Sequence, residues 1–181
     1  MSILNPGDEV LIPSPYWTTY PEAVKICGGK PIIVDTEFDE EFKINTDKLD
    51  SLITPMTKIL VWVSPSNPTG VVYTKEEAEK IYNWAFENDI WILSDELYEH
   101  LVYEGATSPS PAQYDTTLKN TIVINGVAKA YSMTGWRVGW IIANTDVIDM
   151  AKKIQSHATS NVSNLSQIAA YSALKNGLDE T

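Results

Sequence analysis

Six short apolar runs, separated by polar turns and helical segments, limit what this chain can fold into more than anything else in it. They are Glu9–Pro13, Pro31–Asp35, Lys58–Ser64, Ile90–Asp95, Thr121–Asn125 and Arg137–Ala143. Several are continuous rather than alternating, as in Ile59-Leu-Val-Trp-Val63. That is the pattern of strands covered on both faces. Helical segments lie between and after them. The clearest opens at Thr74-Lys-Glu-Glu77, a capping-box sequence, and carries Ala78, Ile81, Tyr82 and Ala85 on one face. Tyr20–Cys27 and Thr46–Ile53 are shorter, and Asp146–His157 and Leu165–Lys175 follow the last run. Such alternation predicts an α/β fold: a mainly parallel central sheet, right-handed crossovers and flanking helices. There is no internal repeat, and Thr107-Ser-Pro-Ser-Pro111 is too short to divide the chain. Residues 1–181 are therefore expected to form a single domain.

Composition narrows the function classes. A chain of 181 residues with 44% hydrophobic residues, six Trp and nine Tyr can bury a real core and is not disordered. The net charge of −11 argues against nucleic acid or an anionic membrane as partner, yet leaves room for a small local phosphate site. No signal peptide and no run long enough to span a bilayer is present, so the expected location is the cytoplasm. The single cysteine, Cys27, cannot form an internal disulfide. Beside Gly28-Gly29 at a helix end, it is expected to be a buried small residue. His100 and His157 sit in no motif and are given structural roles. No His, Cys or carboxylate cluster has metal-ligand spacing.

The chemistry concentrates in Val123-Ile-Asn-Gly-Val-Ala-Lys129-Ala-Tyr-Ser-Met-Thr-Gly-Trp-Arg137-Val-Gly-Trp140. Lys129 follows a buried-looking strand, among apolar and small residues. A desolvated lysine loses part of its preference for the charged form, and the neutral amine attacks carbonyls. Arg137, eight positions on, offers a forked and permanently charged grip on a phosphate. Amine and phosphate grip together are what pyridoxal phosphate needs to be held as a Schiff base. Asn67, Asp95 and Lys129 each fall at or just after the end of a predicted strand. In an open parallel sheet that edge is where ligands bind. Asp95 closes an apolar strand, where a carboxylate is costly unless it meets a positive charge or several donors. Its alternative reading is a helix N-cap for Glu96–His100, and Asn67-Pro-Thr-Gly70 can equally be an ordinary turn.

The lysine run closely resembles the Schiff-base segment of the class I aminotransferases, the fold type I enzymes related to aspartate aminotransferase. Asn67-Pro-Thr-Gly70, Ser94-Asp-Glu-Leu-Tyr98 and Pro13-Ser-Pro-Tyr-Trp17-Thr-Thr-Tyr-Pro21 resemble three further segments of that family, in the family's order. The resemblance implies pyridoxal phosphate as cofactor and amino-group transfer between an amino acid and a 2-oxo acid. It implies that Lys129 carries the cofactor and then moves the proton between substrate and cofactor, and that Asp95 meets the pyridine nitrogen. Asn67 and Tyr98 would bond the phenolic oxygen, Trp17 would cover one ring face, and Arg137 would hold the phosphate. Trp62, Trp84, Trp91, Trp136 and Trp140 match no such segment and are assigned to packing.

The same resemblance makes the chain an internal piece of the large cofactor-binding domain. The family's phosphate-binding loop, the arginine for the substrate carboxylate in a small C-terminal domain, and the contact from the second subunit of a homodimer would lie outside these residues. The piece alone is then expected to be inactive. Two other readings are weaker: a fold type I lyase (a C–S lyase or a cyclopropane-forming synthase), and an aminotransferase-like sensing domain of a transcription regulator.

Overall fold

The computed structural model describes residues 1–178 and 181. Its strands are β1 (Glu9–Pro13), β2 (Lys30–Val34), β3 (Thr57–Val63), β4 (Trp91–Asp95), β5 (Thr121–Gly126) and β6 (Gly139–Ile142). They form one sheet in the order β2-β1-β3-β4-β5-β6, parallel throughout except for the antiparallel β5–β6 pair. The helices are α1 (Thr19–Ile26), α2 (Thr46–Asp50), α3 (Lys75–Glu87), α4 (Thr145–Ala158) and α5 (Asn164–Asn176), with short 3₁₀ turns at Pro111–Gln113 and Thr134–Trp136. Among the described residues no helix is long and apolar enough to cross a membrane.

The central strands are apolar on both faces because each face meets its own layer. Successive side chains of a strand point to opposite sides. Leu11, Leu60, Trp62 and Ile92 thus pack with Ala78, Ile81, Trp84 and Ala85 of α3. Val10, Ile12, Ile59 and Val61 pack on the other side with Tyr20 and Val24 of α1. Full burial of each such aliphatic side chain contributes about 1.5–3 kcal/mol. The capping box of α3 forms as expected: the Thr74 hydroxyl accepts from the Glu77 N–H at 3.2 Å, and the Glu77 carboxylate accepts from the Thr74 N–H at 2.7 Å.

Two expectations need correction. The second helix stops at Asp50 rather than Ile53, since Pro55 disfavours helical geometry in the residue before it and the chain turns from Ser51 onward. The last strand begins at Gly139, not Arg137, because Arg137 takes up a left-handed conformation (φ 55°, ψ 46°) that breaks the extended run. That strand returns antiparallel, within the mainly parallel sheet expected, as the connection from Gly126 to Gly139 holds only a 3₁₀ turn and no crossover helix. It is not covered on both faces either: Ile141 and Ile142 are 38% and 49% exposed.

Candidate active site

The strand order reverses at β1, with β2 on one side of it and β3 on the other. Beyond the carboxyl ends of the strands lies a cavity of about 700 Å³, the size of a small-molecule site. Trp17, Asn67, Asp95, Tyr98, Lys129 and Arg137 all line it. Trp17 comes from the segment after β1, Asn67 from that after β3, Asp95 from the end of β4, and Lys129 from the turn after β5. Parallel strands put their C-terminal ends at one edge, and that brings residues distant in the chain together.

Asp95 is only 9% exposed. Its charge is met by two donors: the Tyr20 hydroxyl gives a hydrogen bond to Oδ2 at 2.5 Å, and the Leu97 N–H to Oδ1 at 3.2 Å. No helix follows it, so the N-cap reading does not hold; the bond to Leu97 makes an Asx-turn instead. Burial first, then the Asp95 charge, keep the Tyr20 hydroxyl far above the usual phenol range, so it remains a donor.

The turn after β4 is pinned to β5. The Glu96 N–H donates to the Ile124 carbonyl at 2.9 Å, and the Asn125 amide donates to the Glu99 carboxylate at 2.6 Å. Tyr98 is thereby set beside the lysine, whose Nζ lies 5.3 Å from the centre of the Tyr98 ring. Lys129 itself opens a turn closed by the Ser132 N–H on its carbonyl at 2.9 Å. The sequence led us to expect a desolvated lysine; the side chain is half-buried and opens to the cavity.

Arg137 is exposed, and its guanidinium donates to the Thr134 carbonyl at 3.0 Å. Among the described residues, neither Lys129 nor Arg137 forms a salt bridge. Trp17 is 48% exposed and stands edge-on to Tyr20, with ring centres 5.7 Å apart and planes at 87°. Asn67 is half-buried in a turn closed by Gly70 N–H to the Ser66 carbonyl at 2.8 Å, with Gly70 at φ +74°. Turn and cavity wall are therefore the same segment.

Sequence reasoning missed two residues and misjudged others. Tyr20 fell within the family-like segment Pro13–Pro21 and at the start of an expected helix but was given no role, although its position three residues after Trp17, in the first turn of α1, was a usable signal. Trp140 was assigned to packing but lines the cavity, and Trp136 is 47% exposed rather than packed. Trp62 and Trp84 are core residues as expected. Cys27 is half-buried rather than buried, its sulfur 3.3 Å from the N-terminal ammonium. His100 and His157 are both exposed; His100 lies edge-on to Tyr131 and 3.5 Å from Glu99.

The residues present fit pyridoxal phosphate. A buried carboxylate suits a protonated ring nitrogen, an indole suits the flat ring, and an amide and a phenol suit its oxygen. Two cations that have no carboxylate partner among the described residues suit an aldehyde that carries a phosphate. The family model for aminotransferase class I and II matches residues 1–181. The chain is 51% identical to an aspartate aminotransferase of Streptomyces avermitilis over 98% of its own length and 44% of that protein's. It is 45% identical to an asparagine–oxo-acid transaminase of Streptococcus mutans, over 96% of this chain and 44% of that one. The crystal structure of an aromatic aminotransferase from Pyrococcus horikoshii superposes with a TM-score of 0.95 at 38% identity, covering 99% of this chain and 49% of that one. The chain thus spans less than half the length of the relatives it matches.

Proposed function

Because the chain belongs to the class I and II aminotransferases, we propose that it is the cofactor-binding part of a pyridoxal phosphate-dependent aminotransferase. The whole protein would exchange an amino group between an amino acid and a 2-oxo acid. One observation carries the reading: successive strand ends deliver an aromatic, an amide, a carboxylate and a lysine to a single cavity, with an arginine beside them. When bound, the cofactor supplies an electron-poor ring that accepts electron density from the substrate α-carbon.

The chain's own residues do the rest. Lys129 would hold the cofactor aldehyde through its amine, and the amine freed by the incoming amino acid would take the proton from the substrate α-carbon onto Nζ. Asp95 holds the ring nitrogen in its protonated form, as a buried anion favours a cation beside it. Tyr98 and Asn67 bond the phenolic oxygen, Trp17 covers a ring face, and Arg137 meets the phosphate. The proposal extends to a homodimer, on the family resemblance, and to the cytoplasm, on the lone cysteine.

The test is to add pyridoxal phosphate, reduce with borohydride, digest, and find the modified peptide by mass spectrometry. A pyridoxyl group on Lys129 alone is expected. Labelling scattered over surface lysines, with none enriched at Lys129, overturns the reading.

A further inference from the structure

Tyr20 touches both Asp95 and Trp17, and it does so with different parts of its side chain. Its hydroxyl donates to Asp95 Oδ2 at 2.5 Å, across 75 positions of sequence. Its ring meets Trp17 edge-on at 5.7 Å. The side chain is 9% exposed and is wedged into the apolar layer of Val10, Ile12, Val24, Ile59 and Val61. A two-torsion aromatic held in a packed layer is a rigid post. A carboxylate at a strand end and an indole on an exposed segment are not rigid by themselves. Asp95 has a rotatable carboxylate with one other protein donor, Leu97 N–H, and Trp17 is 48% exposed.

We propose that Tyr20 is a positioning residue that fixes Asp95 through its hydroxyl and Trp17 through its ring, so that carboxylate and indole are set by one side chain. The proposal rests on the cofactor reading above. Tyr20 takes no proton in the reaction: burial and the adjacent carboxylate keep it an O–H donor. Its two parts are separable by substitution. Tyr20→Phe keeps the ring, the apolar packing and the edge-on contact and removes only the donor. Tyr20→Leu removes both, while still filling most of the apolar layer.

The experiment measures binding and optical activity rather than turnover, on the whole protein. Dissociation constants are taken for pyridoxal phosphate and for an analogue in which the ring nitrogen is replaced by carbon. Circular dichroism of the bound chromophore reports how firmly the ring is held. Loss of one charge-assisted hydrogen bond predicts about a tenfold weaker hold on pyridoxal phosphate in Tyr20→Phe. The same variant should bind the carbon analogue as the unaltered protein does, because that analogue gives Asp95 nothing to grip, and should keep the dichroism band. Tyr20→Leu should bind both ligands more weakly and lose much of the band. If Tyr20→Phe weakens both ligands equally, or neither, Tyr20 is a packing residue and the proposal falls while the aminotransferase reading stands. If the unaltered protein binds no pyridoxal phosphate at all, both fall together.

Discussion

The buried Asp95 carboxylate has two donors aimed at it from within the protein, the Tyr20 hydroxyl and the Leu97 N–H. At Glu96, its neighbour, donors and burial compete. It is 7% exposed and accepts from the Ser94 and Ser110 hydroxyls at 2.7 and 2.5 Å, but burial outweighs them and pushes its carboxyl above the usual range. The sign follows from linkage. A carboxyl whose folded pKa is raised takes up a proton more readily in the folded state, so its penalty is fully present above that pKa. The penalty is relieved as pH falls toward the unfolded value of 4.5. Glu96→Gln is therefore expected to be more stable than the unaltered protein near pH 7 and to lose that advantage in mild acid, read from urea melts across the range. At the site itself, Lys129→Ala in the whole protein should abolish both the borohydride label and turnover. Asp95→Ala should keep the label at Lys129 but lower turnover by about 10²–10⁴-fold. Normal turnover in the Lys129→Ala protein would remove the mechanism.

The hairpin of β5 and β6 carries both cationic residues of the site just beyond its close contact. Gly126 pairs with Gly139 there, and a Cβ built on Gly126 would lie 2.9 Å from the Val138 carbonyl oxygen and 3.1 Å from the Gly139 Cα. Both obstacles are backbone, so neither moves out of the way without shifting the strand. Lys129 follows this contact on one side and Arg137 precedes it on the other, and the spacing between the two cations depends on it. Gly126→Ala is expected to cost about 1–3 kcal/mol and to lower the extent of labelling at Lys129. Gly135→Ala serves as the comparison, since nothing lies within 4 Å of its added Cβ. Equal melting temperatures for the two variants would show that the strand yields freely.

Across the whole molecule, one carboxylate ties the amino ends of three strands. Glu9, the first residue of β1, is 6% exposed. It accepts from Lys30 at the start of β2 at 2.9 Å, from Thr54 at 2.7 Å, and from Thr57 at the start of β3 at 3.4 Å. The hydrogen bond from Lys30, then that from Thr54, hold its carboxyl below the usual range despite burial. Here the linkage runs the other way: the stabilisation is fully present above the unfolded value of 4.5 and is lost as pH falls through the lowered folded value. Glu9→Gln should melt at a lower temperature than the unaltered protein at pH 7, and the two curves should converge in acid. This tie lies at the amino ends of the strands, opposite the cavity, so the same variant should label at Lys129 normally once folded.

Much of this was legible without coordinates. The first five strands lie within about one residue of the apolar runs that announced them, because burial on both faces imposes a local pattern that needs no partner to be read. Lys129, Arg137 and Asp95 drew attention by their chemistry, and Asn67, Tyr98 and Trp17 by resemblance to the family's segments; all six line the one cavity. Where the sequence was silent, the cause was distance or backbone geometry. Nothing near Tyr20 shows that its hydroxyl meets a carboxylate 75 residues away, and nothing near Glu9 names its three donors. The start of β6 turned on a left-handed arginine, and its direction on a connection that holds only a 3₁₀ turn. Half-burial of Lys129 and Cys27 likewise depended on what the fold set over them. Side-chain periodicity is a property of a segment and determined the elements. Which segments become neighbours depends on strand order and register, and only the tertiary structure decided that.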